Sequence, residues 1–494
     1  MNKFDSIRQP EQLSDAKRLL LQLYSRGSKQ DQPASVPAIS RRAQGSPPPL
    51  GLAQEQIWRH AQRLVDMPLL YNESITIYRT GPLDVDALER SFTEIVRRHD
   101  IWRTTYDTLD GQPVQIIHPA PDRISLPVAD LRGLPVVGRE KEALRLATAE
   151  ARRPFNMREG PLVRPTLVRL GDEEYRLFLI MHQSIVDGVS AYEVLPSELA
   201  ALYNAFSAGK PSPLPELPVQ YADFASWQRE WLQGEELTRQ MAYWRNQLAG
   251  ELPVLQWPND RPRPASQSYR GAILPFGFSR ELTASLRRWS QQEEVTLFMT
   301  LLAGFTALLH HYTQQADIVV GTPAPSGRKR SEVQALMGYF LNPLPLRMSV
   351  AGNPTFRELL CQAREVTSGA ISNDDVPLEY LAKELCLKQD ASRHPFFQVA
   401  ISLAPEASIS NSGWDMTAMD VDSGGARWDL YLVLSERPSG MLGRAQYNPD
   451  LFEENTISST IEHFQRLLEV LGSNPALRVS ESAFPEEGHS RSRA

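Results

Sequence analysis

Cysteine is scarce in this chain of 494 residues, which contains Cys361 and Cys386 and no others. The two cysteines are far apart in the sequence, and neither belongs to a cysteine–histidine pattern of the kind that binds zinc. A metal site is therefore not expected. Because chains with few cysteines are typical of reducing compartments, we predict a cytoplasmic protein.

Long apolar runs and basic tracts are also missing. No stretch approaches the roughly eighteen apolar residues that a membrane helix needs, and the N-terminal MNKFDSIRQPEQLSDAKRLLLQLYSR lacks the apolar segment of a secretory signal. The formal net charge is −7, and the densest internal basic cluster is RKR at 328–330. We therefore predict that the chain binds neither a membrane nor nucleic acid.

Apolar residues make up 41% of the sequence, which at this length favours two or three domains. LSDAKRLLLQLYSR has helical spacing and precedes a segment rich in Ser, Pro and Gln. Residues 1–45 are therefore predicted to be an N-terminal helix with a flexible linker. At the other end, we expect residues 481–494 to form a disordered tail.

Between these ends, the proline-rich segment GKPSPLPELP at 209–218 separates two stretches that mix helical and strand patterns. In the first stretch, PLVRPTLVRLGDEEYRLFLIMHQ has the pattern of a β-hairpin, with helical spacing before and after it. The second stretch repeats the mixture. We predict two lobes of mixed helix and sheet, residues 46–218 and residues 219–480.

The stretch LIMHQSIVDGVS at 179–190 is the most informative part of the first lobe. An apolar run ends at His182 and Gln183, and strand alternation would place these two side chains on opposite faces. Asp187 follows at a loop-to-helix junction, where carboxylates cap helices or hold a cation. Gly188 leaves room for a close approach. The pattern alone fits a buried histidine beside a capping aspartate as well as a catalytic loop.

Further motifs accompany this loop in a fixed order along the chain. They are LGLAQEQIW at 50–58, RHDIWRT at 98–104, YADF at 221–224, MGYFLNPLPLR at 337–347, NDDVPLEYL at 373–381 and ASRHPFFQV at 391–399. Together they resemble the motifs of nonribosomal peptide synthetase condensation domains, which are relatives of chloramphenicol acetyltransferase. The resemblance covers roughly residues 46–480. The family hallmark H-H-x-x-x-D-G reads His-Gln-Ser-Ile-Val-Asp-Gly here.

The resemblance implies an α/β (α+β) fold of two acetyltransferase-like lobes, arranged as a V-shaped pseudo-dimer with a tunnel between them. It also implies an acyltransferase that joins an acyl or peptidyl thioester donor on an upstream carrier protein to an aminoacyl acceptor on a downstream one. Both substrates would be held on the carriers' phosphopantetheine arms. The chain itself is expected to bind no cofactor and to act as a monomer.

Gln183 replaces the second histidine of the family hallmark, the residue that is usually assigned the role of general base or of positioning the substrate. A primary amide cannot accept a proton near neutral pH, although it can orient an amine or support an oxyanion by hydrogen bonding. Three explanations stay open: a natural variant that works by proximity or through another base, a catalytically silent domain that recruits carriers or tailoring enzymes, or a substitution made to trap a complex. An alcohol or a soluble amine could also replace the carrier-bound acceptor.

The resemblance also implies roles for the residues of the loop. Gln183, His182, Asp187 and Gly188 are its catalytic positions, with His182 expected to support the loop rather than to react. Asp187 is expected to pair with an arginine, because a bidentate arginine–carboxylate pair would fix the loop. The candidates are Arg98, Arg103 and Arg328.

Four residues are candidates for the tunnel or the substrate contacts. Ser190 could present its hydroxyl, although a serine at the start of a helix is commonly a cap. Tyr339 and Asn342 lie in the motif expected to cross between the lobes, where bridging is the alternative role. Trp428 could line the acceptor side, although an aromatic residue in a strand usually belongs to the core.

Overall fold

The computed structural model describes residues 37–43, 45–63, 69–385, 387, 390–404, 414–417 and 420–482. The predicted N-terminal helix, most of the linker and nearly all of the predicted tail lie outside the described residues, and so does Cys386. Of the residues that the structure describes, 41% are helical and 22% are strand, which confirms the predicted mixed class.

Helices and strands alternate along both halves of the chain. The helices are α1 (Leu52–Arg63), α2 (Val85–Arg98), α3 (Val136–Ala151), α4 (Leu195–Ser207), α5 (Tyr221–Trp231), α6 (Gly234–Gln247), α7 (Arg280–Gln292), α8 (Leu297–Thr313), α9 (Phe356–Ser372), α10 (Leu378–Glu384) and α11 (Glu454–Ser473). The strands are β1 (Asn72–Thr80), β2 (Thr104–Leu109), β3 (Gln112–Ile117), β4 (Val128–Asp130), β5 (Val163–Arg169), β6 (Glu174–His182), β7 (Ala272–Phe278), β8 (Asp317–Ala324), β9 (Asn342–Ser349), β10 (Val399–Ala404), β11 (Trp414–Thr417), β12 (Leu430–Arg437) and β13 (Gly440–Tyr447).

The first sheet has five strands in the order β11-β1-β6-β5-β4. Strands β5 and β6 pair antiparallel, which confirms the predicted hairpin. Strand β1 pairs antiparallel with β6, with Asn72 opposite His182 and Glu73 opposite Met181. Because side chains two residues apart on a strand share a face, this register places Glu73 diagonally across from Gln183.

The second sheet has six strands in the order β7-β13-β12-β10-β8-β9. Helix α8 is apolar on all sides and is buried from Met299 to Leu309. A helix without a polar face is stable in the interior of a protein. Within the described ranges, no single helix is long and apolar enough to cross a membrane. Helices α7 and α8 pass that test as a pair, but they meet at a bend of 104°.

Segments of the second half of the chain complete the first sheet and the first hydrophobic core. Strand β11 comes from the second half, yet it pairs antiparallel with β1 of the first sheet. Met337, Tyr339 and Phe340 also come from the second half and pack in the first hydrophobic core. The motif around Tyr339 therefore joins the lobes, while the boundary between residues 218 and 219 stays a prediction.

A buried ion pair fastens the hallmark loop to the second half. The Nε and Nη2 atoms of Arg328 donate to the two carboxylate oxygens of Asp187, both at 2.8 Å. The side chain of Arg328 is 5% exposed and that of Asp187 is 0% exposed. Arg328 also donates to the carbonyl oxygen of Val333 at 3.2 Å, and its guanidinium lies 4.3 Å from the ring centre of Phe340.

Arg98 and Arg103, the other candidates for this pair, have different partners. Arg98 at the end of α2 donates through Nε to Glu198 at 2.9 Å, and both side chains are buried. Arg103 pairs with Asp100, three residues before it on the same short turn. The expectation that either arginine contacts Asp187 is corrected here, because each has a carboxylate close by.

We predict that Arg328→Met lowers the free energy of unfolding by about 3–5 kcal/mol, because it leaves the buried carboxylate of Asp187 without a counter-charge. The double variant Asp187→Asn/Arg328→Met should recover part of this loss, since no uncompensated charge then remains. Urea denaturation of the three proteins measures both effects.

Arg97→Met is the matched control, because Arg97 is half-exposed and pairs with Glu94 and Glu216 on the surface. Surface pairs contribute about 0–1 kcal/mol. If Arg328→Met costs no more than Arg97→Met, the buried pair does not hold the loop as we argue.

Candidate active site

The hallmark loop lies where β6 turns into a helix. Strand β6 ends at His182, a single 3-10 turn covers Gln183–Ile185, and the next helix begins at Gly188. The Oδ1 atom of Asp187 accepts a hydrogen bond from the backbone N–H of Ser190 at 2.7 Å, which caps that helix. One carboxylate thus caps the helix and binds Arg328.

His182 is buried and neutral. Its Nδ1 lies 2.8 Å from the Oγ of Ser184, and its ring centre lies 6.0 Å from those of Tyr71 and Phe155. Burial lowers the pKa of His182 from 6.5 to about 3. An imidazole with so low a pKa is a weak base near neutral pH.

Gln183 contacts Glu73, the residue placed diagonally across from it on β1. Its Nε2 donates to the Oε1 of Glu73 at 3.2 Å, and its backbone N–H donates to the carbonyl oxygen of Tyr71 at 2.8 Å. The Oε1 of Gln183 is shielded from solvent and accepts no hydrogen bond from any described residue. With its NH₂ turned toward Glu73, the amide leaves this oxygen unpaired.

Glu73 was missed in the sequence analysis. Burial raises the pKa of its carboxyl above the ordinary 4.5, and Arg444 and Arg427 act in the opposite direction. A charged residue at the start of the alternating strand NESITIYRT was the available signal. Its partner could not be read from the sequence, because the contact depends on the pairing of β1 with β6.

Several partly buried polar side chains interact with Glu73. We call this set the interlobe site; its members are Glu73, Gln183, Arg427, Tyr431 and Arg444. Arg427, Tyr431 and Arg444 come from the second half of the chain.

Ser190 and Tyr339 connect the loop to the second half. The hydroxyl of Ser190 donates to the carbonyl oxygen of Gly338 at 3.1 Å and accepts from the Nη2 of Arg328 at 2.7 Å. Tyr339 is buried, and its carbonyl oxygen accepts from the hydroxyl of Tyr221 at 2.6 Å. The hydroxyl of Ser190 is thus occupied by protein groups and bridges the two halves, while Tyr339 does so by packing in the first core.

Asn342 and Trp428 make their contacts within the second half of the chain. The Nδ2 of Asn342 donates to the carbonyl oxygens of Asp374 and Val376 at 2.8 and 2.7 Å, which holds that loop against β9. Trp428 is buried in the second core, with its ring centre 5.0 Å from that of Tyr431. These contacts favour the structural alternative for both residues, although Trp428 adjoins a member of the interlobe site.

In the part of the chain that the structure describes, no group of three or more His, Cys, Asp or Glu side chains could hold a metal ion. The positive charges of Arg427 and Arg444 lower the pKa of the Glu73 carboxyl, against the effect of burial. The arrangement brings one carboxyl, one unpaired amide oxygen and cationic groups together from both halves of the chain.

Comparison with known proteins identifies relatives over nearly the whole chain. A family model described as the condensation domain matches residues 47–492. One component of the linear gramicidin synthase of Brevibacillus parabrevis is 41% identical over 455 residues, which cover 91% of this chain and 9% of that protein. The chain therefore spans less than a tenth of the length of this relative.

Solved structures agree with these matches. The complex of the X-domain and OxyB from teicoplanin biosynthesis matches with a TM-score of 0.77 at 26% identity, covering 92% of this chain and 99% of the matched one. The first condensation domain of the calcium-dependent antibiotic synthetase, in complex with a substrate analogue, matches with a TM-score of 0.77 at 23% identity, covering 89% and 99%. The predicted chloramphenicol acetyltransferase-like fold is confirmed. The chain belongs to the condensation domain family of nonribosomal peptide synthetases.

Proposed function

We propose that this chain forms an amide bond between an acyl or peptidyl thioester on an upstream carrier protein and the amine of an aminoacyl thioester on a downstream one. Condensation domains of peptide synthetases work with carrier protein domains and catalyse this class of reaction. The phosphopantetheine arms that hold the thioesters belong to the carriers. The low cysteine content supports a cytoplasmic setting, which stays a prediction.

The unpaired Oε1 of Gln183 is the observation that carries the proposal. Buried acceptors in folded proteins almost always have a donor, so one without a donor calls for an explanation. An acceptor amine that enters the interlobe site would supply the missing N–H. Gln183 would then orient the nitrogen toward the thioester carbonyl, and proximity would supply much of the acceleration.

The support around the loop also favours catalysis. Asp187 is held by two hydrogen bonds from Arg328, and His182 is held by Ser184, so the backbone of Gln183 has little freedom to shift. We propose that His182, Asp187 and Gly188 keep the loop in shape, while Gln183 contacts the substrate. The tunnel between the lobes stays a prediction.

A silent recruiting domain is the second candidate. It is favoured by the likeness to the teicoplanin X-domain, whose matched structure is a complex with OxyB. In that case the interlobe site would bind no thioester, and the outer surface would bind a tailoring enzyme. An acceptor that is an alcohol or a soluble amine would keep the same site and change the nucleophile.

We expect the chain to join a donor-loaded and an acceptor-loaded carrier protein in an intact-mass assay run over a panel of acyl and aminoacyl groups. Gln183→Ala should lower the single-turnover rate by about tenfold or more, because the amine loses its hydrogen-bond acceptor. Gln183→His should stay active, since imidazole both accepts a hydrogen bond and serves as a base.

Glu174→Gln, an exposed change at the far end of β6, is the control and should turn over like the unmodified chain. Absence of product from both the chain and Gln183→His, together with tight binding of unloaded carriers, would support the recruiting function instead. Activity from Gln183→His alone would mean that the fold is competent and that Gln183 silences it.

The neutral state of His182 makes stability depend on pH. Below pH 6.5 the unfolded chain takes up a proton on this residue, whereas the native protein does not until about pH 3. Stability therefore falls as the pH is lowered, and the His182 share between pH 7 and pH 5 is about 2 kcal/mol. His182→Asn should remove this share of the slope, measured by urea denaturation at both pH values.

The pKa of His394 is also lowered to about 3 by loss of solvation, so this residue contributes the same dependence in both proteins and serves as an internal reference. An unchanged slope in His182→Asn would mean that His182 is protonated in the native state. Its role as a neutral support would then be wrong.

A further inference from the structure

Glu73 lies between side chains of the first half and cationic side chains of the second half. It is part of β1, and Gln183 from the loop after β6 donates to it. Groups from the facing elements are coupled to it electrostatically. They are Arg427 and Tyr431 around the start of β12, Arg444 on β13, Tyr192 after the hallmark loop and Tyr339 in the crossing segment.

We propose that the carboxylate of Glu73 takes the proton from the acceptor amine during condensation, and so supplies the base that Gln183 cannot be. The inference rests on the proposed function and adds a residue to it. It explains how a chain with an amide at this hallmark position can still move a proton. The positions of the two side chains carry the argument.

The pairing of β1 with β6 brings the side chains of Glu73 and Gln183 into contact. The register of β1 against β6 places Glu73 opposite Met181 and beside Gln183, and the Nε2 of Gln183 lies 3.2 Å from the Oε1 of Glu73. We place the acceptor nitrogen at the unpaired Oε1 of Gln183, on the side chain whose Nε2 holds the carboxylate of Glu73. The amide fixes the nitrogen, and the neighbouring acid receives its proton.

The proton balance is complete with these groups. The amine nitrogen attacks the thioester carbon, a C–N bond forms, and the C–S bond then breaks. Glu73 takes the proton that the nitrogen loses and returns it to the departing phosphopantetheine sulfur. The carboxylate is thereby regenerated, and no oxidant, metal or further reactant is needed.

Other groups near the loop are less suited to this step. Burial lowers the pKa of His182 and makes it a weak base, and its Nδ1 is hydrogen-bonded to Ser184, on the side of the loop that faces Tyr71 and Phe155. Asp187 has both carboxylate oxygens occupied by Arg328. Arg427 and Arg444 are cations and cannot accept a proton. Glu73 is the carboxylate that combines a contact with Gln183 and accessible surface.

The test is Glu73→Gln, measured by single-turnover condensation with saturating loaded carriers. The substitution keeps the size of the side chain and an oxygen that can accept from Gln183, but it removes the base. We expect the rate to fall by about 10²-fold or more, as for loss of a general base. Glu174→Gln, the same chemical change at an exposed site, should leave the rate unchanged.

The pH profile separates a base from a spacer. Because burial raises the pKa of Glu73, the carboxylate is lost at a higher pH than an exposed glutamate would lose it. The ratio of the unmodified rate to the Glu73→Gln rate should rise with pH through this pKa and then level off. The ionisation of the acceptor amine cancels in the ratio. A constant ratio would overturn the inference.

The double variant Glu73→Gln/Gln183→His is the rescue experiment, because it restores an imidazole at the family's usual position. We expect it to regain at least tenfold of the lost rate, and no recovery would overturn the inference. Full activity of Glu73→Gln would overturn it while leaving the proposed function intact. No product from the unmodified chain, with any carrier pair that Gln183→His does join, would overturn both.

Discussion

The site depends on the ion pair between Asp187 and Arg328. Both side chains are withdrawn from water, so each charge is tolerated because the other is present. Arg328 belongs to the second half of the chain, and the loop of Asp187 belongs to the first. The shape of the hallmark loop is therefore set by the contact between the lobes, and Gln183 is held in place by a residue distant in sequence.

The family and the mixed class could be predicted because they depend on local patterns. The hairpin of β5 and β6 follows from alternating residues, and the hallmark follows from the spacing of His182, Asp187 and Gly188. The partner of Asp187 could not be chosen among three arginines. Each of those arginines has a nearby acid, and the folded chain decides which one is in reach.

The same limit applies to Glu73. Its contact with Gln183 is a diagonal pair across two strands, and a shift of one residue in the pairing would turn Glu73 to the other face of the sheet. A motif is defined by residues that are close in sequence, whereas this contact joins two residues that are 110 positions apart. Residues that replace a missing function therefore escape a search limited to the motif.

The exchange of β11 into the first sheet has a consequence for engineering. An excised first lobe would leave one side of β1 with unsatisfied backbone donors and acceptors, and such an edge invites pairing with other chains. Splitting the chain at the proline-rich crossing would thus produce an aggregation-prone fragment. Recombination of synthetases that aims to exchange donor and acceptor preferences separately would need to transfer β11 together with the lobe that it completes.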